Sequence, residues 1–190
     1  MSLEAVQAGF ERLLEAIVVV LIVALSVLVI AGFLFRYAGS ALAWYDELAS
    51  IGLVWLTYYG SALAALKGAH IGVAGLVNAL PPPLRLAVTV FAEACVFFFF
   101  AVLAVTGIEV LGVLAGDGMV SLPWVPLQIT QSVIPIGSVL FIIAEALRLP
   151  TVLRQARGGG LVDAELKAAL EQAGLEAGAQ PPAKQDAVRP

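Results

Sequence analysis

The chain has 190 residues, 61% hydrophobic and 13% charged, with mean hydropathy +0.99 and a formal net charge of -4. A soluble domain carries about 25% charged residues, so water is not the main solvent of this chain, and its acidic balance gives a nucleic-acid partner no electrostatic support. One cysteine, Cys95, and one histidine, His70, exclude a disulfide framework, a cysteine metal site, paired haem ligands and a Ser-His-Asp or Cys-His nucleophile within the chain.

Uncharged stretches run over residues 16–35, 48–66, 94–108 and 118–144. A hydrocarbon core about 30 Å thick takes roughly 20 residues of helix. The spacing predicts an all-α integral membrane protein with four transmembrane helices filling residues 1–157, followed by a cytoplasmic tail over 158–190. No catalytic residue, cofactor or metal site is expected.

The first stretch has Ala41-Leu42-Ala43 at a cleavage-like distance, as after a signal peptide. Its flank carries Glu4, Glu11 and Glu15 against Arg12, and its length exceeds a signal core of about 7 to 15 residues. Retention as a membrane anchor is the expectation. Arg36 closes this helix, and across a short loop Trp44, Asp46 and Glu47 lead into the second, where carboxylates favour the positive end of the helix dipole. These charges are expected to clasp helices one and two together, with a contact to a second subunit as the alternative.

Along helix two, 100 degrees per residue places Gly52, Gly60 and Ala64 on one side, where small residues permit close packing, and Trp55, Tyr58, Tyr59 and Ala62 on another. The aromatic side could meet either this bundle or another protein. Lys67 and His70 follow at the expected cytoplasmic interface, His70 as an ordinary hydrogen-bonded or exposed residue. Pro81-Pro82-Pro83 can precede a helix but not continue one, so helix three is expected from Leu84 to Leu114, about 46 Å long.

Glu93 lies about 12 Å of helical rise beyond Arg85, where a carboxylate in lipid must be protonated, paired or turned to a polar neighbour. The plainer expectation is a position near the headgroups, paired with Lys67 or Arg148. In helix four, Pro135 frees the carbonyl of Gln131, with Thr130, Gln131 and Ser132 close enough to satisfy the loosened backbone. Gln128, Gln131, Ser132 and Ser138 form a stripe expected to act between helices rather than as a solute path. Beyond Gly158-Gly159-Gly160, a short surface helix is expected over 163–173 and disorder in the last ten or so residues.

Lys and Arg near helix ends set orientation. Arg12, Lys67, Arg85, Arg148, Arg154 and Arg157 fall on one face and Arg36 alone on the other, so both termini are expected in the cytoplasm. Tyr37, Trp44, Tyr45 and Trp124 then sit at the outer interface, the depth that amphipathic rings favour.

In order, Phe35-Arg36-Tyr37, Trp44-Tyr45-Asp46-Glu47, Trp55, Lys67-Gly68-Ala69-His70-Ile71-Gly72-Val73, Leu80-Pro81-Pro82 with Arg85, and Pro135-Ile136-Gly137 resemble the small membrane subunit of TRAP transporters, the DctQ family, over about residues 16–150. The resemblance implies a bacterial inner-membrane, non-enzymatic scaffold subunit. Its implied partners are membrane lipid, a large membrane subunit that carries sodium and an organic acid, and a periplasmic solute-binding protein. Tyr45-Asp46-Glu47 departs from the two glutamates frequent in the family, which leaves the partner of Arg36 open. Under this reading Arg36, Trp44, Asp46 and Glu47 fix the first hairpin, and Trp55 and Tyr59 offer a partner-binding face. The competing reading is an autonomous channel or proton-linked carrier using Glu93 and the glutamine stripe; a haem-holding subunit ranks last.

Overall fold

The structure, a computed structural model, describes residues 3–68 and 77–158. Its helices are α1 (Leu3–Tyr37), α2 (Tyr45–Lys67), α3 (Pro82–Val113), α4 (Leu127–Gln131) and α5 (Val133–Arg157). Among the described residues, with α4 and α5 forming one segment, four helical segments are long and apolar enough to cross a membrane, as the sequence predicts. Among the described residues the only β-pairing is an isolated antiparallel bridge between Gly118 and Pro126.

The helices pack in series: α1 lies on α2, α2 on α5, and α5 on α3. As an end member, α1 keeps most of its apolar surface uncovered, with Val20 65% and Phe33 66% exposed. In water such a surface would drive association; in a bilayer it faces hydrocarbon at no cost.

The core gathers Leu14 from α1, Ala62, Ala65 and Leu66 from α2, and Phe141 and Ala144 from α5. Alanines let α2 and α5 approach closely, and Phe100 of α3 stacks on Phe141 with ring centroids 3.7 Å apart. Further along, Gly137 of α5 lies against Tyr58 of α2, so that an added Cβ would fall 2.7 Å from the Tyr58 Cβ. Gly107 of α3 meets Pro135 in the same manner, and the Tyr45 ring covers Gly32 of α1.

Several expected details differ. Helix α1 is already helical at Leu3, so its charged leader is an extension of the span by more than three turns. Pro82 and Pro83 occupy the first turn of α3, where a missing N–H is harmless; the helix therefore starts before Leu84 and ends at Val113. Arg85 lies in the first turn of α3, and it is buried. Arg148, Arg154 and Arg157 belong to α5, which continues through Pro150 well beyond the uncharged run that ends at Ala144. Gly52 does pack closely, against Leu25, but Gly60 on the same expected side faces open space. His70 and the expected 163–173 helix lie outside the described residues.

Candidate functional site

At one end, Arg36 from the last turn of α1 reaches Asp46 in the first turn of α2, Nη2 to Oδ2 3.8 Å, with both side chains largely exposed. Asp46 therefore supplies the partner that the sequence left open. An exposed pair at this distance contributes only about 0–1 kcal/mol, so it orients the hairpin more than it stabilises it.

Glu47 does something different. Its Oε1 accepts the Val120 N–H at 3.1 Å and its Oε2 the Ser121 N–H at 2.8 Å, so one carboxylate ties α2 to the loop between α3 and α4. The Ser121 hydroxyl donates back to the Ala43 carbonyl at 3.4 Å. The same loop is pinned by Met119 N–H to the Val125 carbonyl, by Leu127 N–H to the Asp117 carbonyl, and by the fully buried Met119 side chain. Trp44 is the N-cap of α2 and makes no side-chain capping bond; its place in the turn puts it beside this junction. Of the Arg36, Trp44, Asp46 and Glu47 group expected from the sequence, Arg36 and Asp46 pair with each other, whereas Glu47 turns to Val120 and Ser121, which sequence reading missed because backbone donors leave no trace in residue type.

At mid-span the Trp55 indole N–H donates to the Thr130 carbonyl at 2.8 Å, and its ring lies 6.3 Å from that of Tyr59, which packs on the core. Of the two settings the sequence left open for the aromatic side, both rings occupy the one within this bundle. The backbone near Pro135 is also served differently from expectation. Thr130 and Ser132 hydroxyls donate to the Leu127 and Ile129 carbonyls, while the carbonyl that draws an outside donor is Thr130's.

The expected polar stripe of the fourth span divides, since the helix is interrupted at Ser132. Gln128 reaches across to the Leu111 carbonyl of α3 at 2.9 Å, whereas Ser132 and Ser138 donate to carbonyls of their own segment. Gln131 is half-buried between these positions.

The opposite end carries the remaining charges. Lys67 closes α2 and pairs with Glu11, 3.3 Å away, and with Glu15, both from α1. It is therefore not the partner of Glu93. Gly68 follows in the left-handed conformation (φ 72°), its N–H returning to the α2 carbonyls, and the Arg148 guanidinium lies directly over it. Arg148 is not the partner of Glu93 either: its Nη1 lies 3.7 Å from Oε1 of Glu145, one turn earlier on α5. Glu93 instead meets the Glu145 carboxyl. Glu145 is 4% exposed and was missed in sequence reading, which took Ala144 as the end of the uncharged run and Glu145 as the first residue outside it. The readable signal was Glu145 three residues before Arg148 on one helical face.

The fold defines a multi-pass membrane protein whose described polar groups mostly join its own helices and loops. A family model described as Tripartite ATP-independent periplasmic transporters, DctQ component, matches residues 25–155, and the chain belongs to that family. The family is a transporter component and not an enzyme class. No match is found among curated proteins.

Proposed function

We propose that this chain is the small scaffold subunit of a TRAP transporter in a bacterial inner membrane, supporting a large permease subunit during sodium-coupled uptake of an organic acid delivered by a periplasmic binding protein. The observation that carries this reading is the family match over residues 25–155, joined to a serial helix arrangement that leaves broad apolar flanks for neighbours in the bilayer. A scaffold needs internal ties and external faces, and the Glu47, Trp55 and Gln128 bonds are such ties.

Both termini are proposed to face the cytoplasm. Contacts of Lys67 with Glu11, of Gly68 with Arg148 and of Arg85 with Gly158 gather the cationic ends at one end of the molecule, and the positive-inside rule assigns that end to the cytoplasm.

The test is co-expression with a large TRAP permease subunit, followed by affinity purification and transport in proteoliposomes. Retention of the permease, with uptake only when both chains and the binding protein are present, is the expected result. Organic-acid or ion flux through vesicles holding this chain alone would instead support the autonomous carrier.

A further inference from the structure

Glu93 stands about 16 Å of helical rise inside the start of α3, and Glu145 about 18 Å inside the end of α5. Their carboxyl groups meet across the α3–α5 contact. Oε2 of each is buried and has no hydrogen-bond partner, and the Glu145 side chain is sealed to 4% exposure. A buried carboxylate oxygen without a donor costs its desolvation, and the pair carries two of them.

The other cations make their contacts away from the pair. On α2, Lys67 is held by Glu11 and Glu15 of α1, whose remaining nearby charge is Arg12. On α3, Arg85 stands about two turns before Glu93 and reaches the Gly158 carbonyl at 3.5 Å, its Nε buried without a partner, and on α5, Arg154 donates to the Pro150 carbonyl. Arg148 alone touches the pair, through Glu145. Two carboxylates and one guanidinium leave one uncompensated negative charge in an apolar setting, where such a charge is expensive.

We propose that Glu93 and Glu145 form a proton-binding site between α3 and α5, a single proton bridging the two carboxyl groups and bringing the Glu93, Glu145 and Arg148 trio to neutrality. A metal cation fits less well. The pair leaves two unpartnered oxygens, hard cations take about six or more oxygen ligands, and the described residues hold no group of three or more His, Cys, Asp or Glu suited to a metal. A shared proton needs only two oxygens, as in other paired carboxyls. The site holds its proton and does not conduct it: its role is to keep α3 against α5, and removing the proton sets like charges against one another across that contact. The proposal is independent of the transporter assembly.

The experiment is infrared spectroscopy of the purified full-length chain in deuterated buffer. The wild type is expected to show a protonated-carboxyl C=O band at neutral pH that disappears on raising the pH, together with a fall in melting midpoint. Glu93→Gln and Glu145→Gln are each expected to lose the band. Glu93→Gln also mimics the protonated acid, so its helix content should persist and its midpoint should stay level where that of the wild type falls. Absence of the band in the wild type, its persistence in both variants, or a midpoint raised by replacing choline with sodium overturns the proposal. Should a variant fail to fold, the wild-type band and its titration decide alone, because histidine ionisation does not move a carboxyl band.

Discussion

The Trp55 indole donates its N–H to the Thr130 carbonyl across 2.8 Å, linking the second span to the point where the fourth is interrupted. An interruption in lipid leaves backbone groups that water cannot satisfy, and an aromatic donor from a neighbouring helix is one of the few remedies. Trp55→Phe removes this donor while keeping an apolar ring. It is expected to destabilise the chain by about 0.6 kcal/mol and at most about 1.7, the measured range for bonds between membrane helices, read as a lower unfolding midpoint in detergent. Unchanged stability with loss of permease co-purification would mean that the indole serves the partner instead.

Gly68 and Arg148 make a second test. A side chain at φ 72° costs about 1–2 kcal/mol, and a Cβ there would also fall 2.7 Å from Nη2 of Arg148. Gly68→Ala is therefore expected to cost more than the backbone alone, by displacing the guanidinium that faces Glu145. In an Arg148→Lys background, where a flexible ammonium can turn aside, the same change should cost only the backbone part. A double-mutant cycle with equal costs in the two backgrounds would refute the coupling.

Glu47→Gln should release the loop between α3 and α4 without unfolding the spans. An amide can accept one of the two N–H groups but turns a donor toward the other, so a bidentate grip becomes a single bond. Hydrogen exchange at Val120 and Ser121 is expected to rise several-fold while exchange within α2 and α3 is unchanged. Asp46→Asn, which touches only the exposed Arg36 pair, should leave those amides alone.

These tests mark where the sequence was legible. Four spans were readable because apolar length is a one-dimensional property, whereas the proline triplet marked only the neighbourhood of the start of α3: the sequence put it at Leu84, and the helix takes Pro82 and Pro83 into its first turn. The Arg36, Asp46 and Glu47 junction was readable as a charge cluster across a short loop. What failed was the assignment of partners. Helical periodicity tells which residues share a side, as Trp55 with Tyr59, but in a membrane both lipid-facing and protein-facing sides are apolar, so it does not tell which side turns inward. Gly60 shows the same limit, being small yet open. Glu145 was hidden because an uncharged-run boundary treats the first charge as the exit from the membrane, whereas this glutamate is almost fully buried.

Orientation is the remaining prediction, and it can be read without function. Cys95 is the only cysteine, so Cys95→Ala gives a background in which single cysteines report accessibility. Ala115→Cys lies in the loop that carries Asp117 and Trp124, at the Arg36 end, and Arg157→Cys closes α5 at the end shared with Lys67 and Arg85. In intact spheroplasts a membrane-impermeant maleimide is expected to label position 115, and to label position 157 only after lysis. The physical reason is that cations near short loops resist translocation, so the end with Arg12, Lys67, Arg85 and Arg148 stays inside while Arg36 is the single exception that crosses. The reverse labelling pattern would place the termini outside, and would then require that these cations were translocated against the rule that otherwise orients such chains.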